Sequence, residues 1–442
     1  MEKFVVTGGK KLHGTISVSG AKNVALKAIV AACLTEEEVI IENVPLISDF
    51  FIMLDIMKGL GANISIHDHT LKVKMKHISS SGISLESAAK ARTSVMFIAP
   101  LLARVGQTVV PNPGGCRLGA RPIDRIIDGL KAMNVSVSYS SDDGFFHAQT
   151  SGLTGATYTF DKNTHTGTET LVLAAVLAKG TTVLDNAAEE PEIDELIDLL
   201  NLMGAHVYRS GHRQITINGV EKLHKAKFSI LPDRNEIITF AIAAYITGGD
   251  IMVKGAQKVN LQAFLESLDN AGASYEVHGE DIRFFATGPL QATNITTSVY
   301  PGFMTDWQAP WAVLMTQASG ETVIHETVFE NKLGYVHDLK KMGAQVTLFN
   351  PKVSHPEKVY NFNLADDNES YFHAVKIVGP TVLHDAVVTT LDIRAGAAIV
   401  LAALAANGTS TIFGTEKLDR GYEQFEKRLS RLGAEIKRVK EK

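Results

Sequence analysis

The sequence predicts an α/β fold assembled from six copies of one strand–helix–strand–helix–strand–strand module. Three observations carry that expectation. A phrase made of an amphipathic helix, a Gly-Ala step and an alternating strand recurs around Gly61 (GLGANISI), Asn134 (AMNVSVSY), Gly204 (LMGAHVYR), Gly272 (NAGASYEV), Gly343 (KMGAQVTL) and Gly433 (RLGAEIKR). A second phrase, a small-residue helix followed by Gly and a β-rich run, stands 23 to 28 residues ahead of the first in five copies (GQTVVPN, GTTVLDN, GDIMVKG, GETVIHET, GTSTIFGT). The small-residue helices, such as VLAAVLAK, FAIAAYI and GAAIVLAALAA, are apolar on nearly every face, which places them inside a covering of sheet.

Each element of the module has a local reason. The glycine after the amphipathic helix stands where a left-handed C-cap is expected, and Asn134, the exception, is the other residue type that tolerates that conformation. Successive glycine positions are 73, 70, 68, 71 and 90 residues apart. Units of this size are too large for a solenoid repeat, so small αβ modules are expected, arranged as one ring or as two groups of three. The first copy has TEEEVIIEN in place of the second phrase, and its acidic run Glu36 to Glu38 reads as a solvated turn. The long last interval holds an insertion between Asn350 and Tyr371, whose Asn, Asp, Pro and Ser content reads as a surface loop.

Bulk properties set the class. The chain has 442 residues, long enough for two or three domains, and 45% apolar with 21% charged residues describes a globular protein. A net charge of −5 provides no global basic field for nucleic acid. Two cysteines argue for a reducing compartment. The opening MEKFVVTGGKKLHG lacks the apolar stretch of a signal peptide, and the longest apolar segments fall short of a membrane span. A soluble cytoplasmic protein is expected.

Charge interrupts the repeat at corresponding places, the starts of the apolar helices. Lys22 and Asn23 follow Ser19-Gly20-Ala21, and Arg92 opens the second apolar helix. Asp233 and Arg234 precede the fourth, Asp306 the fifth, and Asp392 and Arg394 the sixth, with Arg420 beyond the last hairpin. Aspartates there are ordinary N-caps. Lys22, Arg92, Arg121, Arg394 and Arg420 together could hold a ligand with several negative charges, such as a phosphate plus a carboxylate. Cys33 lies inside an apolar run and reads as a buried hydrophobe. Cys116 instead stands among Pro113, Gly114, Gly115, Arg117, Gly119 and Arg121, an exposed turn whose positive charge favours a thiolate. The fifteen histidines are scattered; His67-Asp68-His69 is assigned to a strand, and no metal site is expected. No phosphate-binding Walker loop, dinucleotide fingerprint or nucleophile elbow occurs, and no cofactor is expected.

These residues resemble the enolpyruvyl transferases nearly end to end. The shared motifs are SGAKN at 19–23, PGGCRLGARPID at 113–124, NAAEEPEIDEL at 186–196, LPDR at 231–234, ETVFEN at 326–331, LDIRA at 391–395 and DRGYE at 419–423. The resemblance implies a two-domain inside-out α/β barrel, or α/β prism, with three βαβαββ-type repeats per domain and the active site in the cleft between them. It divides the chain into a discontinuous outer domain, 1–20 plus 231–442, and an inserted domain, 21–230. The implied reaction moves the enolpyruvyl group of phosphoenolpyruvate to the 3-hydroxyl of UDP-N-acetylglucosamine and releases phosphate, through a tetrahedral ketal, as the first committed step of peptidoglycan precursor synthesis. By the same resemblance the catalytic residues are Cys116, the acid, Asp306, the base, and Lys22. Lys22, Arg92, Arg121 and Arg420 hold the phosphate and carboxylate of phosphoenolpyruvate. Asn23, Arg121, Pro122, Ile123, Asp124 and Val328 contact the sugar nucleotide, and Asp392 and Arg394 are further cleft residues. The implied partners are these two small molecules, with neither nucleic acid nor membrane.

The chain departs from the family pattern at Ile126, where His is frequent, at Lys332, where Arg follows VFEN, and in the insertion. Arg and Lys are not interchangeable at a bidentate site. Three rivals remain at this point. A shikimate-pathway enolpyruvyl transferase shares the architecture but lacks the Cys116 loop. A non-catalytic αβ array binding nucleic acid fits poorly with the charge. An inactive paralogue is kept open by Ile126 and Lys332.

Overall fold

A computed structural model describes residues 2–111, 123–390 and 392–440. Two compact units emerge, one made of the described residues within 1–19 and 232–440 and the other of those within 20–231. Each unit has its own hydrophobic core.

The expectation of helices inside sheets is met in both units. In the unit containing the C-terminal half, helices Arg234–Ile246, Gln308–Thr316 and Ile393–Ala405 pack on one another. Every residue of the first is buried, Arg234 and Glu236 included. A helix with no exposed face cannot be a surface helix, and sheets surround it instead. In the other unit the inner helices are Lys22–Ala32, a 3₁₀ turn Arg92–Phe97 continuing into Ile98–Val105, and His165–Ala175. Pro100 and Pro310 both occupy the first turn of an α-helix that follows a 3₁₀ turn, where a missing N–H costs nothing.

Among the described residues six sheets cover the helices, five with four strands and one with three. Strands alternate as a half-buried sheet requires: in Glu38–Glu42, Val39 and Ile41 face the core while Glu38 is exposed. Every expected helix cap is left-handed, with φ of 105° at Gly61, 69° at Asn134, 97° at Gly204, 70° at Gly272, 90° at Gly343 and 102° at Gly433. Asn134 also donates from Nδ2 to the Gly152 carbonyl at 3.1 Å, which compensates part of its strain.

The sheets are not each made from one copy. His13–Ser17 pairs in parallel with Asp250–Lys254 of the fourth copy, and Ala226–Ser229 pairs in parallel with Glu38–Glu42 of the first. Glu2–Thr7 lies between Thr409–Phe413 and Glu435–Lys440, completing the sheet of the last copy. In the second copy the leading strand is reduced to a bridge between Gly82 and Val109, leaving Gln107–Pro111, Phe145–Gln149 and Ser136–Ser140.

Two sequence expectations need correction. His67 ends a strand, but Asp68, with φ of 50°, is in the hairpin turn to Thr70–Lys74, and His69 follows it there. The insertion is more than a surface loop. It contains a helical turn Pro356–Val359 and a 3₁₀ turn Leu364–Asp366, and it buries Tyr360 and Phe362. Those rings stack at 4.9 Å and both meet His373, while the Asn361 amide donates to the Thr327 carbonyl at 2.8 Å. Aromatic burial outweighs the polar composition that the segment shows in sequence.

Candidate active site

Lys22, Arg92, Asp306, Asp392 and Arg394 stand at the starts of inner helices. There the free backbone N–H groups and the helix dipole favour negative charge.

In the unit that contains residues 232–440, three of these starts converge. Asp306 lies in the 3₁₀ turn Thr305–Trp307 before helix Gln308–Thr316. Lys332 Nζ approaches its Oδ1 at 3.2 Å and Arg394 Nε its Oδ2 at 3.5 Å. Both cations are buried, while the Asp306 side chain keeps 24% exposure. A carboxylate held between two buried cations yet open to solvent can accept a proton from a bound hydroxyl. Arg394 also lies over the Tyr422 ring at 5.2 Å. Burial works against the Arg394 charge, but Tyr422, Asp233 and Asp306 outweigh it and hold the guanidinium protonated. Asp392 caps helix Ile393–Ala405, accepting the Arg394 and Ala395 amides on Oδ2 at 3.1 and 3.0 Å. It therefore fixes the backbone from which Arg394 projects.

The segment Glu326–Lys332 is organised by its first residue, to which the sequence motif assigns no role. Glu326 is fully buried; its Oε1 accepts the Val328 and Phe329 amides at 2.8 and 3.0 Å and its Oε2 accepts the Thr305 hydroxyl at 2.8 Å. One carboxylate thus ties the turn bearing Val328 to the residue before Asp306. Burial raises its pKa, only partly offset by those donors and by Lys332. Asn235 is a second residue without a role in the motifs, accepting the Trp307 indole N–H on Oδ1 at 3.0 Å. Arg234 lies 5.5 Å from both the Tyr300 and Trp307 rings. Arg420 is half-buried just beyond helix Thr415–Leu418.

In the other unit Lys22 is the first residue of its helix and pairs with Asp49 at 2.8 Å, with 11% and 5% side-chain exposure. Asn23 beside it and Arg92, which opens the 3₁₀ turn packed on that helix, are half-buried. Ile123 is buried at the start of helix Asp124–Ala132, and Asp124 is exposed. Ile126 is buried on the core side of that helix, so this departure from the family pattern fills space in the interior. Asp49 was not marked in sequence, because nothing local distinguishes it from an ordinary first-turn acid. Cys116, Arg121 and Pro122 lie outside the described residues. Cys33 is buried, and burial pushes its thiol pKa far up, which leaves it inert. Among the described residues no cluster suits a metal ion and no helix is long and apolar enough to cross a membrane.

Comparison with known proteins places the chain in a family. The family model for EPSP synthase (3-phosphoshikimate 1-carboxyvinyltransferase) matches residues 6–429. A UDP-N-acetylglucosamine 1-carboxyvinyltransferase of Acidobacterium capsulatum is 41% identical, covering 99% of this chain and 96% of the relative. One of Trichlorobacter lovleyi is 40% identical, with all of both chains covered. Among solved structures, the enolpyruvyl transferase NikO from Streptomyces tendae superposes with a TM-score of 0.87 at 23% identity, covering 100% of this chain and 99% of that one. EPSP synthase from Acinetobacter baumannii superposes at 0.72 and 18% identity over both whole chains. The fold is therefore the two-part inside-out α/β architecture of these enzymes, and the chain belongs to the enolpyruvyl transferase family, alongside its UDP-N-acetylglucosamine 1-carboxyvinyltransferases.

Proposed function

We propose that this protein is a cytoplasmic enzyme that transfers the enolpyruvyl group of phosphoenolpyruvate to the 3-hydroxyl of UDP-N-acetylglucosamine. The observation that carries this reading is full-length likeness, near 40% identity, to relatives bearing that name. EPSP synthases share the fold at much lower identity, so the shikimate acceptor is not favoured.

The chemistry needs an acid, a base and a clamp. Asp306 takes the proton of the sugar hydroxyl, whose oxygen bonds to C2 of the enol. The Cys116 thiol gives a proton to C3, which becomes a methyl group, and a tetrahedral ketal results. Loss of a methyl proton and departure of phosphate then restore the double bond. Lys22, Arg92, Arg121 and Arg420 hold the phosphate and carboxylate, positioning the enol and stabilising charge that develops as phosphate leaves. Asn23, Arg121, Pro122, Ile123, Asp124 and Val328 contact the sugar nucleotide. Asp392, through its cap on Arg394, keeps that guanidinium beside Asp306. Lys332 faces the same carboxylate, so its occurrence in place of Arg preserves a cation there and does not favour an inactive paralogue.

The test is phosphate release from phosphoenolpyruvate with either UDP-N-acetylglucosamine or shikimate 3-phosphate as acceptor. Release is expected with the first only. Folded protein that releases none with the first refutes the assignment.

A further inference from the structure

Helix Lys22–Ala32 carries two buried lysines that leave it on different sides. Lys22 Nζ reaches Asp49 Oδ2 at 2.8 Å on helix Ser48–Gly59, and Lys27 Nζ reaches Glu169 Oε2 at 3.2 Å on helix His165–Ala175. Five residues turn a helix by about 140°, so the two pairs pin its rotation from separate directions. His165 Nδ1 lies 3.4 Å from the same Glu169 oxygen, one turn back on that helix.

This cluster is costly to build. Lys27 is 5% exposed and Glu169 fully buried. Among the described residues no donor meets strict hydrogen-bond geometry at either Glu169 oxygen, so Lys27 and His165 compensate it mainly by charge. Glu190, at the start of helix Pro191–Leu202, is buried close by and adds a second acid. Among these immediate neighbours two acids face one lysine, and a protonated His165 balances them. Among the described residues the groups facing His165 are Glu169 on its own helix, Lys27 and Glu190, and Arg92 opens the 3₁₀ turn packed on the same helix. An apolar trio would fill this space at less expense. The charges therefore point to a use other than stability.

We propose that His165, Glu169 and Lys27 form a positioning network that sets the rotation of helix Lys22–Ala32, and hence the placement of Lys22 and Asn23, according to the protonation of His165. With the imidazolium present, Glu169 is shared between two cations. With neutral imidazole its whole charge draws on Lys27 and pulls that side of the helix toward His165–Ala175. Partial burial disfavours the imidazolium, but the adjacent Glu169 outweighs it and raises the His165 pKa above its ordinary value. The functional consequence rests on the assignment of Lys22 to phosphoenolpyruvate.

The experiment follows the His165 ring by NMR from pH 5.5 to 9, assigned with His165→Gln, and measures KM for phosphoenolpyruvate over the same range. The wild type should show His165 titrating above 6.5, with the Lys22 and Asn23 amide shifts following it. KM should change by roughly two- to thirtyfold across that titration, the range in which residues remote from a ligand act. A combined Lys27→Met, Glu169→Leu, His165→Val variant should keep or raise Tm and lose the inflection. An inflection that survives in that variant, or a His165 that titrates at or below 6.5, overturns the network. If the wild type releases no phosphate at any pH, the enzymatic reading fails by itself. The network is then judged by the amide shifts, and shifts that ignore His165 overturn it.

Discussion

Lys332 Nζ sits 3.2 Å from Oδ1 of Asp306 across 26 residues of chain. A cation buried to 5% exposure faces a carboxylate that stays open to solvent, and Arg394 faces the other oxygen of that carboxylate. Asp306→Asn keeps the shape and removes the charge, so kcat should fall about 10²–10⁴-fold, the range typical of a lost general base. Steady-state phosphate release on folded protein checks it. Lys332→Met should lose part of the same activity and Lys332→Arg should restore it, because either cation can face Oδ1. Equal activity of all three would show that the pair has no part in turnover.

Cys116 is the second point of attack. Cys116→Ser should abolish covalent labelling by an epoxide phosphonate such as fosfomycin, read as a mass shift of the intact protein. Cys33 should remain unlabelled in both proteins, since burial keeps it a thiol. Labelling that persists in the variant would identify the wrong residue.

Glu326 predicts a pH dependence with a definite sign. Burial raises its folded pKa above the ordinary 4.5. The folded protein then retains a proton that the unfolded chain has released. The corresponding stability is complete below 4.5 and is lost as pH rises through the raised value. Glu326→Gln cannot ionise, so its Tm should gain on the wild type as pH rises through that window. A constant Tm difference across the window would contradict this.

Asn134 tests the repeat itself. With φ of 69° it does what glycine does at the other five caps. Asn134→Ala should cost about 1–2 kcal/mol, the price of a left-handed residue with a β-carbon and no compensating bond. Asn134→Gly should stay near wild type in chemical denaturation.

The repeat was legible because its signals are local. A left-handed cap calls for Gly or Asn wherever it stands, and an all-apolar helix is a buried helix in any context. Charges at the starts of those helices stood out for the same reason, and Lys22, Arg92, Asp306, Asp392 and Arg394 were all marked. Composition shows the insertion as a plain surface loop and does not show that Tyr360 and Phe362 pack on His373. The roles of Glu326 and Asp49 are not legible in sequence because their partners, Thr305 and Lys22, lie 21 and 27 positions away.

By itself the sequence determined the module, its number of copies, the buried helices, the caps and the family. Each of these depends on contacts within a few residues or on motifs read in order. Only the tertiary structure decided which strands complete which sheet, with His13–Ser17 joining the fourth copy and Ala226–Ser229 the first. It alone brought Lys332 and Arg394 to opposite oxygens of Asp306, and Lys27 and His165 to one oxygen of Glu169. Parallel strand pairing and buried ion pairs join distant parts of the chain. Their partners are chosen by packing geometry and by the penalty for burying a charge alone, neither of which has a sequence spacing.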